Sequence, residues 1–187
     1  GIGFGVVEAT HDPTIDNETV INTRQYHTIT EAKNGEGPAP LRTPEGWLHL
    51  AHGVRNCAAG LRYVLYIYMT DLADLTKVTY APGGYFMAPQ GEERVGDVSN
   101  VVFSNGWVRK PDGTIYIYYG SSDTRTHVAV TTEERLLAYV KNTPPDAGTT
   151  QGSVAQRRAL IEENSEKPGQ LNRQDWLEQL RDQIQRR

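Results

Sequence analysis

Closely spaced turn signals divide residues 96–120 into short apolar segments. Asn105 and Gly106 end the first apolar run, and a Pro-Asp-Gly sequence at residues 111–113 precedes the second. Asn-Gly between apolar segments predicts a tight β-hairpin, because both residues tolerate positive φ angles. The 10 tyrosines and 18 glycines of the chain, and its few leucine-rich segments before residue 130, also favour β structure.

Length and charge narrow the class of protein. The 187 residues suffice for one sizeable core or two small ones, and the net charge of −4 gives no reason to expect nucleic-acid or membrane binding. No apolar run approaches the roughly 20 residues that span a membrane. A single cysteine, Cys57, excludes an internal disulfide and fits a reducing compartment, so we expect a cytoplasmic protein. The spacing of cysteine and histidine predicts no metal site.

Alternating side-chain types predict further strands. Residues 47–54 alternate well enough for a half-buried strand, and residues 62–70 are rich in tyrosine, valine and isoleucine. Residues 26–29 also predict a short strand. Residues 32–40 contain so many glycines and prolines that we expect an irregular loop there.

An internal repeat favours a β-propeller. A Gly-Trp pair at residues 46–47 recurs at residues 106–107, and two further landmarks recur at offsets that lie, like this one, between roughly 60 and 67 residues. Propeller blades of several antiparallel strands repeat with a comparable period, usually about 40–50 residues. The alternative is a β-sandwich in which Gly-Trp recurs by chance. We expect an all-β propeller.

The character of the chain changes after Thr131. Thr131 and Glu134 have the spacing of a capping box and predict a helix that ends before two prolines. Two more helices are predicted farther on. We therefore divide the chain into strands over residues 1–131 and a helical extension over residues 132–187. Trp176 falls on an apolar helix face, which predicts a contact between subunits of a homo-oligomer.

Three basic residues are candidates for binding an oxyanion such as phosphate. Arg42 follows the glycine- and proline-rich loop, His52 lies on the next strand, and Arg55 extends the cluster. A guanidinium offers a planar fork of donors that suits a phosphate group. The alternatives are a surface ion pair for Arg42, a half-buried histidine with satisfied hydrogen bonds at His52, and a solvated Arg55.

Four other residues have the chemistry of a carbohydrate site. Asp97, Asn100 and Asp123 supply carboxylates and an amide near strand ends, and Tyr119 supplies an aromatic ring. The alternatives are that Asp97 only closes a turn and that Tyr119 belongs to the core. Strand alternation directs only one of Tyr118 and Tyr119 towards any one face.

Four motifs in one order resemble those of the β-mannoside phosphorylases of glycoside hydrolase family 130. They are GPAPLRT (residues 37–43), GWLHLAHGV (46–54), GDVSNVVF (96–103) and YYGSSDT (118–124). The variants AHGVR and DVSN are most similar to the branch of the family that acts on 4-O-β-D-mannosyl-D-glucose. The resemblance covers most of residues 1–145.

The resemblance implies a five-bladed β-propeller, of which this chain would form about three blades. It implies that phosphate inverts the anomeric centre of β-1,4-mannosyl-glucose and releases α-mannose 1-phosphate and glucose, with inorganic phosphate as co-substrate and no other cofactor. Arg42 and His52 would bind phosphate, Asp97 would hold the mannosyl hydroxyls, and Asp123 matches a motif position. Fixed cations and acceptors suit an anionic nucleophile and a distorted sugar ring.

Two departures from the family pattern matter. Arg42 stands where a lysine is expected, and the general acid, an aspartate, is expected upstream of residue 1. No catalytic residue is therefore assigned to this chain, and we expect the fragment alone to be inactive. The rival functions are a β-mannoside hydrolase on the same scaffold, which would not need the cations, and a non-catalytic glycan-binding propeller.

Overall fold

A computed structural model describes residues 1–7, 11–15, 17–21, 23 and 27–145. They belong to one compact unit, Gly1–Asp146, while Ala147–Arg187 form a second unit. The helices predicted after residue 150 and the subunit contact predicted at Trp176 lie outside the described residues.

The described part of the chain is mostly β, which confirms the all-β expectation. Its elements in chain order are β1 (Ile2–Phe4), β2 (Thr19–Ile21), α1 (His27–Thr30), β3 (Lys33–Glu36), β4 (Leu41–Thr43), β5 (Gly46–Cys57), β6 (Gly60–Thr70), β7 (Val78–Tyr80), β8 (Val102–Arg109), β9 (Thr114–Ser121), β10 (Arg125–Thr132) and α2 (Glu133–Asn142). A 3₁₀ turn, Gly91–Arg94, lies between β7 and β8.

The described strands form three antiparallel sheets. The first consists of β1 and β2, the second runs β3-β5-β6-β7, and the third runs β8-β9-β10. Strand β4 joins the second sheet on the same edge of β5 as β3. Between them the Gly37 amide donates to the Leu50 carbonyl, 3.0 Å away, so β3 and β4 act as one interrupted strand. The strands predicted at residues 47–54 and 62–70 are confirmed as parts of β5 and β6.

The main core lies between the second and third sheets. Alternate residues of each strand point into it, as a period of two requires. Its fully buried members include Leu48, Leu50, Leu65, Ile67, Met69, Val102, Ile115, Ile117, Leu136 and Val140. Each such aliphatic side chain contributes about 1.5–3 kcal/mol when it leaves water. The opposite face of β5 and β6 forms a second core with the first sheet, and Tyr66 and Tyr68 are its largest members.

Helix α2 closes the main core. Its N-cap is Thr132, whose hydroxyl accepts a hydrogen bond from the Arg135 amide at 3.3 Å, so the cap lies one residue after the predicted Thr131. Leu136 and Val140 point into the core, each 1% exposed. The predicted boundary between residues 131 and 132 precedes this helix, whereas the compact unit continues to Asp146.

The hairpin turn predicted at Asn105 and Gly106 is wrong. Strand β8 continues through both residues, and its pairing with β9 shifts register between Ser104 and Gly106. Asn105 is therefore the extra residue of a β-bulge, which Asn-Gly tolerates as readily as a turn. The turn predicted at residues 111–113 is confirmed, because Gly113 has a φ of +82° and its amide donates to the Lys110 carbonyl at 3.0 Å.

Three other expectations need correction. Within the loop predicted at residues 32–40, residues 33–36 form β3, because β5 pairs with them despite their glycine. The strand predicted at residues 26–29 is replaced by the short helix α1. The Gly-Trp repeat is not structural, since residues 46–47 begin the strand next to β4 while residues 106–107 lie in the middle of β8. Among the described residues, no helix has the length and apolar character needed to cross a membrane.

Candidate functional site

The turn between β9 and β10 binds the segment that carries Asp97. The Asp97 amide donates to the hydroxyl oxygen of Thr124 at 2.9 Å, and that hydroxyl donates to the Ser122 carbonyl, also at 2.9 Å. The Val98 amide donates to the same carbonyl at 3.2 Å. The Thr124 hydroxyl and the Ser122 carbonyl therefore join the Asp97 segment to the turn that contains Asp123.

Side chains of the same turn hold the residues just before Asp97. The Ser122 hydroxyl donates to the Glu93 carbonyl at 2.5 Å. The Arg125 guanidinium donates to the carbonyls of Glu92 and Val95, at 3.2 and 3.0 Å. These contacts fix the backbone of the whole segment 92–98 on the third sheet.

Positive φ angles occur in this turn and just after the segment 92–98. In the described part of the chain, the non-glycine residues with positive φ are Asn100, Ser122 and Asp123, at 62°, 49° and 50°. Such conformations cost about 1–3 kcal/mol each and persist where the surroundings enforce them, often at functional sites. The hydrogen bonds just described supply that enforcement for the turn.

Asn100 connects this region to the second sheet. Its carbonyl accepts a hydrogen bond from the Tyr63 amide at 3.0 Å, and its own amide donates to the Arg94 carbonyl at 3.2 Å. The His52 ring lies 6.2 Å from the Tyr63 ring and 4.9 Å from the Phe103 ring, centroid to centroid. We call this end of the two sheets, which carries the turns at residues 57–60 and 121–124, the site end.

His52 is a half-buried imidazole with a free nitrogen. Its Nδ1 is buried and has no hydrogen-bond partner among the described residues. Burial lowers the pKa of His52, and the negative charge of Glu36 opposes this only in part. The ring is therefore neutral at pH 7 and can donate one hydrogen bond and accept one, rather than act as a fixed cation.

The structure does not bring the three predicted phosphate ligands together. Arg42 pairs with Trp47, five residues before His52 on β5, so their backbones are about 17 Å apart and their side chains leave opposite faces of the sheet. Arg55 lies at the site end, and its Nε is buried without a partner in the described residues. It follows His52 by three positions, an odd number, so it also points to the opposite face.

Asp97 and Asp123 present carboxylates to solvent at the site end. Both residues are exposed, and neither side chain forms an ion pair with the residues described. A free carboxylate accepts hydrogen bonds only, which suits it to bind the hydroxyls of a sugar. The Thr124 hydroxyl holds the backbone segments that carry these two carboxylates in contact.

Tyr119 sits deeper than the other predicted sugar ligands. It is 9% exposed and belongs to the main core, while its hydroxyl donates to the Glu93 carboxylate at 2.7 Å. Burial and this acceptor raise the pKa of Tyr119 to about 12. Tyr119 and Glu93 line a cavity of about 360 Å³. Its other lining residues are Phe86, Met87, Ala88 and Gln90. Tyr118 points to the other face and is 42% exposed.

Comparison with known proteins places these residues in a family. The model of glycoside hydrolase family 130, described as beta-1,4-mannooligosaccharide phosphorylase, matches residues 14–142. The chain belongs to glycoside hydrolase family 130. In the part of this family 130 chain that the structure covers, no group of three or more His, Cys, Asp or Glu could hold a metal ion.

Curated relatives and a solved structure agree with this assignment. The chain is 58% identical over 164 residues to a 4-O-beta-D-mannosyl-D-glucose phosphorylase of Bacteroides fragilis, a match that covers 88% of the chain and 42% of that relative. It is 40% identical over 112 residues to a beta-1,4-mannooligosaccharide phosphorylase of Ruminococcus albus, covering 59% of the chain and 33% of the relative. The beta-1,2-mannobiose phosphorylase structure from Listeria innocua superposes with a TM-score of 0.55 at 29% identity, covering 60% of the chain and 31% of that protein. The chain thus spans less than half the length of the relatives it matches.

Sequence reasoning about this family 130 chain missed a buried polar chain of hydrogen bonds. His49 places Nδ1 3.0 Å from Glu36 and Nε2 2.9 Å from the Thr70 hydroxyl, and the Tyr68 hydroxyl donates to Glu36 at 2.7 Å. The order hydroxyl, imidazole, carboxylate is that of a nucleophilic relay. Thr70 is 0% exposed and His49 5% exposed, so no substrate reaches them. This series of hydrogen bonds therefore stabilises the fold.

Sequence reasoning also missed the residues that position the site end. Tyr63 and Phe103 flank His52, and Thr124 joins two segments that are far apart in the sequence. Thr124 falls inside a motif noted above, but its spacing alone gives no hint that its hydroxyl binds the Asp97 amide. Such roles depend on long-range contacts between β8, β9 and the segment before them.

Proposed function

We propose that this chain is part of an inverting phosphorylase that acts on β-1,4-mannosyl-glucose. The observation that carries the proposal is the 58% identity to a 4-O-beta-D-mannosyl-D-glucose phosphorylase across 88% of the chain. The residues of the site end therefore belong to a chain that is similar to such an enzyme over most of its own length.

The reaction transfers a mannosyl group to phosphate. A phosphate oxygen attacks C1 from the face opposite the glycosidic oxygen, the C1–O bond breaks, and the leaving oxygen takes a proton from a general acid. The products are α-mannose 1-phosphate and glucose. The general acid lies outside these 187 residues in this proposal, and inorganic phosphate is the only co-substrate, without a further cofactor.

The site end supplies the sugar ligands. Asp97, Asp123 and Asn100 bind hydroxyls of the mannosyl ring, and the strained backbone at two of these positions favours a function that a relaxed turn would not provide. Tyr119 does not bind the sugar directly in this proposal. Its hydroxyl holds the Glu93 carboxylate next to the segment that carries Asp97.

The phosphate ligand proposed from this chain is His52. Its buried Nδ1 has no partner among the described residues, and the neutral ring can donate one hydrogen bond to phosphate. Arg42 and Arg55 are left out, because both leave the sheet on the face opposite His52, and Arg42 also lies at the other end of β5.

The whole protein is proposed to be a cytoplasmic five-bladed propeller. The three sheets described above represent about three of its blades, and the relatives are long enough to hold the others. Homo-oligomer formation through the helices predicted beyond residue 150 is part of the same proposal.

The test is the release of glucose from β-1,4-mannosyl-glucose by the full-length enzyme that contains this chain, with and without phosphate. We expect release to require phosphate and to fall about a hundredfold or more in Asp97→Asn, because a sugar ligand lost at the reacting ring costs orientation. Asp112→Asn is the matched control, since Asp112 is an exposed turn aspartate at the opposite end of β9.

The outcomes separate the candidate functions. Equal release without phosphate would identify a hydrolase. No release by the folded full-length protein would leave a glycan-binding propeller. An equal loss of glucose release in Asp97→Asn and Asp112→Asn would show that Asp97 does not bind the sugar.

A further inference from the structure

The contacts around Thr124 assign this residue a role in the proposed reaction. Its hydroxyl accepts a hydrogen bond from the Asp97 amide and donates one to the Ser122 carbonyl, both at 2.9 Å. It lies directly after Asp123 in the chain. The backbone segments that carry the two carboxylates proposed to hold the mannosyl ring therefore meet at this hydroxyl, next to the bond from the Val98 amide to the Ser122 carbonyl.

Other features of the same contact show how tightly the two segments meet. A Cβ atom on Gly96 would lie 2.5 Å from the Thr124 hydroxyl oxygen and 2.5 Å from the Ser122 carbonyl oxygen. Only a glycine lets the segment approach the turn this closely. The glycine thus allows the close approach, and the Thr124 hydroxyl adds a hydrogen bond to it.

We propose that Thr124 is a positioning residue that sets the spacing of the Asp97 and Asp123 carboxylates for the mannosyl ring. The inference rests on the proposed function. Thr124 itself touches no reacting atom, and it acts by fixing the backbone amide of Asp97. A sugar ring with several hydroxyls depends on the relative placement of its acceptors, so a displaced carboxylate loses hydrogen bonds to the ring and the disaccharide binds more weakly.

Thr124→Val removes the hydroxyl and keeps the shape of the side chain. In the full-length enzyme we expect the KM for mannosyl-glucose to rise about tenfold, with kcat/KM for phosphate at saturating disaccharide changed less than about twofold. Thr124→Ser restores the hydroxyl and should return the disaccharide KM to within about threefold of the original enzyme. Thr126→Val is the matched control, because Thr126 is exposed on β10 two residues away.

A second variant changes the other partner of the contact between Thr124 and the Asp97 segment. Gly96→Ala keeps every hydroxyl but forces the segment off the turn, so it should raise the disaccharide KM in the same direction as Thr124→Val. Combining the two should add little, because both break one contact. Melting temperatures of all variants distinguish this effect from general unfolding.

Three results would overturn the inference. The first is a Thr124→Val enzyme with an unchanged disaccharide KM. The second is a fall in kcat/KM for phosphate as large as the rise in the disaccharide KM, and the third is a Thr124→Ser enzyme as impaired as Thr124→Val. If the unmodified enzyme shows no phosphate-dependent release, the proposed function has failed. Calorimetric binding of mannosyl-glucose to the unmodified, Thr124→Val and Thr124→Ser proteins then decides on the positioning role alone.

Discussion

His49 places Nδ1 3.0 Å from Oε1 of Glu36, inside the second sheet. A carboxylate can only accept hydrogen bonds, so the imidazole donates. Glu36 ends β3, and the loop after it leads into β4. The pair therefore fixes the point at which the strand next to β5 is interrupted, and it does so on the face opposite His52.

Removing the charge of Glu36 should destabilise the fold. Glu36→Gln leaves only one acceptor oxygen for the donors of His49 and Tyr68, and an unsatisfied buried polar group costs about 1–3 kcal/mol. Urea denaturation should show a loss of this size in the free energy of unfolding. Glu134→Gln on the exposed face of α2 should change it by less than about 0.5 kcal/mol. Equal effects of the two substitutions would mean that the buried chain of hydrogen bonds contributes nothing.

The half-buried ring of His52 should make stability depend on pH. Burial lowers the pKa of His52 in the folded state, whereas in the unfolded chain it titrates near pH 6.5. Above about pH 6.5 the ring is neutral in both states and has no effect. As the pH falls below that value the unfolded state takes up the proton first, so the free energy of unfolding decreases.

His52→Asn should flatten this decrease. We expect urea denaturation at several pH values between about 5 and 7 to show a shallower slope in the variant. The exposed His11 provides the control as His11→Asn. If the slope is the same in His52→Asn and in the unmodified protein, His52 is not the source of this pH dependence.

The sequence predicted the fold where local pattern and tertiary packing agree. Residues 47–54 and 62–70 alternate in side-chain type, and both lie in long central strands whose register the core enforces. The prediction failed at Asn105 and Gly106, because the same dipeptide fits a turn or a bulge. The pairing of β8 with β9 decides between them, and that pairing is a long-range property.

The candidate site was predictable in composition and less so in geometry. Asp97 and Asp123 lie on neighbouring segments, because both follow turn signals at the same end of the third sheet. Arg42 and His52 are close together in a linear reading of the motifs. The hairpin between β4 and β5 reverses the chain, so the five residues from Trp47 to His52 carry His52 away from Arg42.

Helix α2 should prove essential to the β core. Leu136 is 1% exposed and packs among strands of both main sheets, so Leu136→Ala should cost about 2–5 kcal/mol through lost contacts and a cavity. Leu72→Ala, at a position 37% exposed, should cost much less. Chemical denaturation of the two variants checks the difference. A small effect of Leu136→Ala would mean that the strands form their core without this helix.

Gly37 lies so close to the third sheet that its position should tolerate no side chain. A Cβ atom there would collide with the Ser104 hydroxyl oxygen and would lie 2.5 Å from the Leu50 carbonyl oxygen. That carbonyl is the acceptor of the Gly37 amide, so the loop cannot move aside without losing the hydrogen bond that joins β3 to β4. Gly37→Ala should therefore destabilise the protein by about 1–3 kcal/mol, as overpacking does.

Gly106→Ala is the matched control for this substitution. Gly106 lies in β8, and a Cβ atom added to it would have no heavy atom within 4 Å. Alanine there should change the free energy of unfolding by less than about 0.5 kcal/mol, a typical value for an open surface position. Because both changes add one methyl group to a glycine, their difference isolates the contact between the loop and β8. Similar effects of the two substitutions in urea denaturation would show that the loop rearranges freely, and that β8 does not determine where the chain enters β4.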